Sequence, residues 1–414
     1  MTPSAAIPDA AELQRRALEL RPFIVDLTLR ICRERTVDYF EADYPGGGPD
    51  GMTSPGQEGK VTAILARELD RLKIPYTTHA KVAGRDNLLA RVGRGEPGYR
   101  KLMVLLHTDV VPSGSPSDWK FAPFEPFEKD GKLYGRGVLD DKGPLASAFA
   151  AMMLLKQVED RIPGEFIFGA VGDEEVGVGV GIEHLLEEGL IEGTTDAIIP
   201  DIAGDMMEIN VAEKGRVLLK VSAKGRQAHA MNPSRGVSAI HAMARFLTAL
   251  ESLELPHTPH AILDAPTINT GLIRGGIAPN AVAADCEVTL DIRFLPSQNA
   301  ETIRSQVEAL ARRVAIPGAS FTVEIFQTAL PCEVSPDASI VQVIRRHAPD
   351  AKVIGSGGGT FAKPLVLAGI EAVGWAPGNE ATYHEPNEEI EVAQLTTYAG
   401  KLAALALELC REKV

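Results

Sequence analysis

The chain has 414 residues, of which 45% are hydrophobic and 24% charged, and its formal net charge is −14. This length exceeds what one hydrophobic core usually supports, so two domains are expected, and the composition excludes a mainly disordered chain. There is no block rich in lysine or arginine, and the apolar stretches are too short to span a bilayer. Nucleic acid and membranes are therefore not expected as partners. The protein is expected to be cytoplasmic.

The cysteines argue against thiolate chemistry. Cys32, Cys286, Cys332 and Cys410 are far apart in the sequence and form no Cys-x-x-Cys pair. This pattern predicts four buried, reduced thiols, without a disulfide framework or a thiolate zinc site. Any metal ion would therefore be held by nitrogen and oxygen atoms.

Short apolar runs alternate with helical patterns in the first half of the chain. After a predicted helix over 11–33 and a loop rich in glycine and proline, this alternation continues to about residue 210. It predicts an α/β sheet covered by helices. Two helices and several strands follow, which suggest a small separate α+β domain, and the α/β pattern then returns up to a final helix over 392–411.

One predicted strand ends in a histidine and an aspartate two positions apart, His107 and Asp109. In an extended chain, such residues project on the same side. A metal-bound imidazole usually donates its second N–H to a carboxylate, so this spacing suits a ligand and the residue that orients it. A plain strand-end turn is the alternative interpretation.

A turn rich in glycine places Asp140 and Asp141 directly before a predicted helix. Aspartate at a helix start commonly accepts backbone N–H bonds, which is the simpler interpretation. The other is that one carboxylate bridges two cations. The spacing alone leaves both open.

Asp173, Glu174 and Glu175 follow the apolar run 166–171. Adjacent acids usually lie on a solvated surface, which is what we expect for Glu187-Glu188 and Glu388-Glu389. Acids at the end of a buried strand differ, because ligands of open α/β sheets bind outside the carboxyl ends of the strands.

Asp201 and His384 also follow apolar segments. Two histidines and several carboxylates at strand ends form a plausible ligand set for paired zinc-like ions. Two such ions can polarise a carbonyl and acidify a water molecule, whose proton a nearby carboxylate accepts. The residues alone thus favour a two-metal hydrolase.

Taken together, these motifs resemble those of metallopeptidase family 20, in the same order, from about residue 60 to the C-terminus. The resemblance implies a zinc-peptidase-like mixed sheet, two divalent ions (Zn²⁺, or else Co²⁺ or Mn²⁺) and hydrolysis of an amide bond. It implies that His107 and Asp201 bind one ion, and that Glu175 and His384 bind the other. Asp140 would bridge the ions, and Asp141 would not be a ligand.

The resemblance also implies roles around the ions. Glu174 resembles the general base that activates the water between them, and Asp109 the residue that orients the ring of His107. Family members carry an inserted dimerisation or lid domain, which implies a division into residues 1–210, 211–326 and 327–414. A homodimer is expected.

Further residues match substrate-binding motifs of the family. His229 resembles the histidine that reaches the partner subunit's active site and stabilises the oxyanion. Asn280 and Arg293 resemble a substrate-binding pair, with Arg293 suited to a carboxylate. Gly358, Gly359 and Thr360 match a late motif whose backbone approaches the substrate. Without the resemblance, His229 would be interpreted as a core histidine, Asn280 as a turn residue and Arg293 as half of a surface ion pair.

The residue type at position 201 helps to predict the substrate class. Deacylases of the family commonly carry glutamate at this place, whereas its dipeptidases carry aspartate, so a dipeptide-like substrate is expected. The segment 198–205 matches only loosely, which leaves Asp196 and Asp205 as alternative ligands. A deacylase of N-acyl amino acids is the second hypothesis, and an inactive protein that only binds a small ligand is the third.

Overall fold

The computed structural model of the chain describes residues 7–44, 46–379 and 382–414, without the side chains of residues 202 and 203. The chain forms two compact units. The first comprises Met1–Val211, Val334–Ile354 and Thr360–Val414, and the second Ala212–Glu333 and Gly355–Gly359. The dimerisation role predicted for the inserted segment 211–326 stays a prediction.

The described residues form helices of six to eighteen residues in both units. They are α1 (Ala10–Glu19), α2 (Arg21–Cys32), α3 (Gly59–Leu72), α4 (Lys142–Lys156), α5 (Ile182–Glu187), α6 (Ala239–Leu250), α7 (Ala300–Val314), α8 (Ser339–His347), α9 (Ala362–Leu367) and α10 (Val392–Leu409).

The strands of the described residues are two to ten residues long. They are β1 (Tyr76–His79), β2 (Asn87–Gly93), β3 (Lys101–His107), β4 (Phe127–Lys129), β5 (Lys132–Tyr134), β6 (Glu165–Val171), β7 (Asp196–Ala203), β8 (Glu208–Glu213), β9 (Gly215–Lys224), β10 (Thr267–Gly275), β11 (Asp285–Phe294), β12 (Ser320–Ala329), β13 (Cys332–Glu333), β14 (Lys352–Ser356), β15 (Glu371–Ala376) and β16 (Glu389–Glu391).

The first unit is built on a mixed sheet in which strands follow the order β1, β2, β6, β3, β7, β15 and β8. The four central strands, β6, β3, β7 and β15, are parallel, and the outer pairings are antiparallel. β3 and β6 are almost continuously apolar and buried, as expected for parallel strands covered on both faces. The predicted α/β class, with a mixed sheet covered by helices, is confirmed.

Helices cover both faces of this sheet. On one face, α5 and α9 pack against alternate strand residues such as Met103, Ile167 and Ala197. On the other, α4 packs against β2, β3 and β6, and α10 packs against α4. Phe149 of α4 meets Phe168 of β6 edge to face at 5.6 Å. α4 is apolar on nearly every side because it lies between the sheet and other helices.

The predicted single helix over 11–33 is wrong in one respect, since it is two helices that meet at Leu20. Pro22 lies in the first turn of α2. Proline lacks a backbone N–H and therefore favours a helix start over a helix interior. The break turns one long amphipathic pattern into two shorter helices.

The second unit contains an antiparallel sheet in the order β10, β11, β9 and β12. One face packs against α6 and α7 around residues such as Leu219, Phe246 and Val307. Among the described residues, β10 pairs only with β11, and it is exposed along almost its whole length. This small α+β unit therefore presents an exposed edge strand.

In the part of the chain that the structure describes, no helix is both long and apolar enough to cross a membrane. All four cysteines are free and buried, as predicted.

Candidate metal centre

Parallel strands bring the predicted site residues of the first unit to one edge of the sheet. His107, the last residue of β3, pairs with Val171, the last residue of β6, so the turn that carries Glu174 and Glu175 begins at the same level. On the other side, Val104 of β3 pairs with Ile198 of β7. His107 lies three residues beyond Val104 along β3, and Asp201 lies three residues beyond Ile198 along β7.

Two groups of potential metal ligands meet at this edge. His107, Asp140 and Asp201 each offer an atom within 4.8 Å of the others, and so do Asp140, Glu175 and His384. Asp140 belongs to both groups. One shared carboxylate between two sets of ligands is the arrangement that a pair of bridged ions requires.

Short contacts link these side chains. His107 Nε2 lies 2.8 Å from Asp140 Oδ1. His384 Nε2 lies 3.2 Å from Asp140 Oδ2 and 3.2 Å from Glu175 Oε2. Each histidine therefore directs its Nε2 atom at the carboxylates of its own group.

These contacts shift the pKa values of the site. Hydrogen bonds to Asp140 and Glu175 raise the pKa of His384 to about 10. Burial alone would lower the pKa of His107, but the charges of Asp140 and Asp109 outweigh it and raise the pKa well above its usual value. Burial opposes ionisation of Asp140, yet the two histidines hold its pKa below the ordinary range. The site thus concentrates negative charge that attracts cations.

The donor set fits divalent zinc-like ions. Two imidazoles and three carboxylates are nitrogen and oxygen ligands that Zn²⁺ accepts in catalytic sites. Glu175 Oε1 is buried and has no hydrogen-bond partner among the residues that the structure describes. Leaving such an atom unsatisfied costs about 1–3 kcal/mol, a cost that a cation at this oxygen removes.

Glu388 fixes the backbone of the turn that carries Asp140. The expectation of a solvated Glu388 was wrong, because this residue is fully buried. Its carboxylate accepts N–H bonds from Gly137, Leu139 and Asp140 at 3.0, 2.8 and 3.1 Å. Arg136 Nη1 donates to it at 2.9 Å.

Arg136 also links this turn to the segment of His384. Its Nη2 atom donates to the backbone carbonyl of His384 at 3.4 Å. One buried ion pair thus connects two chain segments that are about 250 positions apart. The roles of Glu388 and Arg136 were not predicted from the sequence. A signal was present, because the apolar residue Ile390 and the strand β16 directly after Glu388 indicate a segment that returns to the protein interior.

Asp141 belongs to neither ligand group. Its Oδ2 accepts the backbone N–H of His107 at 3.2 Å. Burial raises the pKa of Asp141 well above its usual value. The peptide bond between Asp140 and Asp141 is cis.

Asp109 contacts the ring of His107 mainly through its backbone. His107 Nδ1 lies 3.0 Å from the carbonyl oxygen of Asp109 and 3.8 Å from its Oδ1. Asp109 Oδ2 instead accepts the backbone N–H of Glu175 at 3.0 Å. Asp109 therefore contacts both a histidine of one ligand group and the backbone of the other.

Glu174 lies beside the two groups and is a member of neither among the described residues. Desolvation by the surrounding protein, together with the negative charge of Asp201, raises the pKa of Glu174 well above its usual value. A carboxylate with a raised pKa next to a ligand cluster is suited to accept and release protons.

The geometry distinguishes Asp201 from the two alternative aspartates. Asp196 is fully buried at the start of β7 and forms an ion pair with Arg100 at 2.8 Å. Asp205 lies beyond the end of β7 with a φ of 48°, and its Oδ1 is buried without a hydrogen-bond partner in the described part of the chain. Of the three, Asp201 is the one in a ligand group of the described residues.

Most of the predicted substrate-binding residues lie in the second unit. His229 is exposed, and its Nδ1 accepts the backbone N–H of Met231 at 3.0 Å. The backbone N–H of Ala230 donates to the carbonyl of Asn280 at 3.0 Å, so His229 and Asn280 lie on adjacent segments. Without the family resemblance, His229 would be interpreted as a core histidine, and its exposure shows that it is not one.

Arg293 is fixed by Asp291 on the same strand, with Nε 2.8 Å from Asp291 Oδ1. Its Nη1 donates to the carbonyl of Gly357 at 3.1 Å, next to the predicted glycine motif. Within that motif, Gly358 and Gly359 are exposed, and Thr360 Oγ1 accepts the backbone N–H of Ala362 at 3.1 Å.

Comparison with known proteins identifies the family. The model of peptidase family M20/M25/M40 matches residues 103–408. The chain is 30% identical to acetylornithine deacetylase of Myxococcus xanthus, over 78% of this chain and 84% of that protein. It is 28% identical to succinyl-diaminopimelate desuccinylase of Xanthomonas campestris, over 77% of this chain and 85% of that protein.

The fold is similar to that of human carnosine dipeptidase 1, with a TM-score of 0.72 and 17% identity, over 98% of this chain and 100% of that chain. The resemblance that the motifs indicated is confirmed. The chain belongs to peptidase family M20/M25/M40, and it is a metal-dependent amide hydrolase.

Proposed function

We propose that the protein cleaves the amide bond of small dipeptide-like substrates with the help of two divalent metal ions. The observation that carries this proposal is the position of Asp140 in two ligand groups at once. His107 and Asp201 would hold one ion, Glu175 and His384 the other, and Asp140 both. Zn²⁺ is the proposed metal, and Co²⁺ and Mn²⁺ accept the same donors.

When bound, such ions polarise the scissile carbonyl and lower the pKa of water from about 15.7 toward ~7. Glu174 accepts the proton of the attacking water and later gives it to the nitrogen of the leaving amine. The raised pKa of Glu174 favours the protonated form that it takes between the two steps.

Two residues hold the reacting groups in place in this proposal. Asp109 orients His107 through the 3.0 Å contact of its carbonyl with Nδ1, and it holds the backbone of Glu175 through Oδ2. Glu388 fixes the turn of Asp140. The ligands are thereby set before any ion binds, which reduces the reorganisation that binding requires.

Substrate recognition is proposed to involve the second unit. Arg293 keeps part of its charge available, since one carboxylate, Asp291, forms ion pairs with both Arg293 and Arg216. Two arginines around one aspartate leave a net positive charge for a substrate carboxylate. Asn280 and the backbone of Gly358, Gly359 and Thr360 complete the proposed binding residues.

A homodimer is proposed, with His229 acting in the partner's active site. The exposed edge strand β10 supports it, because Leu272 and Ile273 are each 56% exposed, and unpaired edge strands readily pair with another chain. Mixing a His229→Asn subunit with a Glu174→Gln subunit tests this role. One active site of the mixed dimer then holds both wild-type residues, so activity is expected to return on mixing, and two inactive variants that stay inactive together would contradict it.

The alternative substrate class is that of N-acyl amino acids. The relatives named a deacetylase and a desuccinylase favour it, whereas an aspartate at position 201 favours dipeptides. The test is amine release by the metal-loaded protein, with and without chelator, on matched panels of dipeptides and N-acetyl or N-succinyl amino acids. Chelator-sensitive cleavage of dipeptides alone supports the proposal, and cleavage of acyl amino acids alone replaces it with the alternative. No cleavage on either panel contradicts both and favours a protein that only binds its ligand.

A further inference from the structure

A second cluster of acids lies inside the first unit, beside the two ligand groups. Asp38, Glu58 and Asp109 are at most 2% exposed, and each has an oxygen within 4.8 Å of the others. Burial raises the pKa of Asp38 to about 6 and that of Asp109 to about 7. Three acids so close together in the interior require a compensating positive charge.

Arg85 supplies that charge to Asp38 and Glu58, and His107 lies next to Asp109. Arg85 Nη2 donates to Asp38 Oδ2 at 2.7 Å and to Glu58 Oε1 at 2.5 Å, and its Nε lies 3.1 Å from both oxygens of Glu58. Only 8% of Arg85 is exposed. Burial opposes its charge, but the hydrogen bonds and charges of Glu58 and Asp38 outweigh burial and raise the pKa of the guanidinium.

The cluster is in contact with the turn that carries Glu174 and Glu175. A Cβ atom on Gly172 would lie 2.5 Å from Glu58 Oε1, so the backbone of the turn packs directly on the Glu58 carboxylate. Arg85 Nη2 lies 3.9 Å from Asp173 Oδ1. Both members of the ion pair thus reach the residues that immediately precede Glu174.

Asp173 gives this turn its shape. Its φ is 71°, a left-handed conformation that is uncommon for residues other than glycine. Its two carboxylate oxygens accept the backbone N–H groups of Val178 and Val180, each at 2.8 Å. Asn87 adds a further link, since its Oδ1 accepts the N–H of Gly172 at 3.0 Å and its Nδ2 donates to the carbonyl of Val180.

We propose that Arg85, held by Asp38 and Glu58, is a positioning residue that fixes the turn of Gly172 to Glu175 and thereby aims Glu174 at the substrate. Arg85 acts through Glu58 and Asp173 and does not touch the reacting atoms. The catalytic part of this inference rests on the role proposed for Glu174.

Arg85→Lys tests the proposal, because lysine keeps the charge but lacks the planar fork that binds two carboxylates at once. Arg94→Lys is the matched control, since Arg94 is half exposed and pairs at the surface with Glu96 at 2.9 Å. Two readouts are needed. One is amide hydrogen exchange of the metal-free protein, and the other is kcat and KM of the metal-loaded protein together with its metal content.

The expected result is faster exchange at the amides of Gly172, Val178 and Val180 in Arg85→Lys. Displacing a catalytic group by about 1 Å lowers the rate by up to ~100-fold, so kcat should fall by about 10- to 100-fold, with KM and metal content unchanged. The control should match the wild type in every readout. Glu58→Gln keeps the shape of the acceptor and should give the same pattern if Arg85→Lys does not fold.

Two results would overturn the proposal. One is wild-type exchange at these three amides, and the other is a wild-type kcat in a folded variant with faster exchange. If the wild-type protein cleaves neither substrate panel, the proposed function fails, and the exchange data alone then decide whether Arg85 fixes the turn.

Discussion

Glu388 offers a sharp test of how the site is built, because its sequence neighbour serves as a control. Glu388 is fully buried and accepts hydrogen bonds from three backbone N–H groups and from Arg136. Glu389 is 35% exposed in its side chain and pairs with Lys132 at 2.6 Å. Glu388→Gln and Glu389→Gln each remove one negative charge, the first from a buried side chain and the second from a partly exposed one.

The magnitude follows from the partners that Glu388 leaves behind. Hydrogen bonds to a charged group contribute about 1.5–3 kcal/mol each, although not additively, and removing one member of a buried ion pair costs ~3–5 kcal/mol. Glu388→Gln keeps one acceptor oxygen and should lower the free energy of unfolding by about 3 kcal/mol. Glu388→Ala loses every contact and should cost ~5 kcal/mol, a large part of the ~5–15 kcal/mol of a typical domain.

The assay is urea unfolding of the metal-free protein, with a check that the dependence of the free energy on urea stays constant. Glu389→Gln should change the free energy of unfolding by less than about 1 kcal/mol, as surface ion pairs usually do. The metal-loaded Glu388→Gln protein should also bind its ions more weakly, because the turn of Asp140 loses its support. Equal stabilities of the two glutamine variants would refute the assigned role of Glu388.

The remaining predictions concern protons, substrate and stability. Because ligand histidines must be neutral and the pKa of His384 is about 10, metal loading near neutral pH should release about one proton from His384. Calorimetry in buffers of different ionisation enthalpy measures this release, and a His384→Gln protein should release about one proton fewer. The raised pKa of His384 stabilises the metal-free protein, and this stabilisation is fully present below about pH 6.5, the pKa of histidine in the unfolded chain. It should disappear as the pH rises through about 10, which unfolding measured as a function of pH tests. Arg293→Ala should raise KM for substrates with a carboxylate by ~10- to 100-fold in steady-state kinetics, as expected for the loss of a charge-assisted hydrogen bond, and an unchanged KM would contradict carboxylate binding.

The sequence was informative about the strand ends. Buried parallel strands are short apolar runs, and the polar residues that follow them, such as His107 and Glu174, stand out against that background. Because parallel strands end at the same edge, residues far apart in the sequence were expected to meet there. The structure brings His107, Asp140, Glu175, Asp201 and His384 together in two overlapping groups.

Supporting residues were harder to predict because their signal is not local. Glu388 resembles any acid on a surface until the fold places Gly137 and Arg136 around it. Arg85 and Glu58 are equally ordinary in sequence and become a buried pair only when their segments meet. A buried charge is stabilised by partners from distant segments, so periodicity and spacing do not reveal it.

Edge strands were also missed. The edge strand β10 was not predicted. β10 contains glycines and polar residues, and it is exposed along most of its length, so it lacks the alternation that marks a half-buried strand. Its structure depends on pairing with β11, which a local pattern does not encode.

The most direct test of the central claim is the turnover and metal content of Glu174→Gln, compared with the wild type and with Glu187→Gln. Glu187 is a control because its side chain is 61% exposed and pairs with Lys81 at the surface. We predict that all three proteins bind two ions, and that only Glu174→Gln loses turnover, by about 10²- to 10⁴-fold, the usual contribution of a general acid–base group. Turnover of Glu174→Gln near that of the wild type, with both ions bound, would contradict the mechanism.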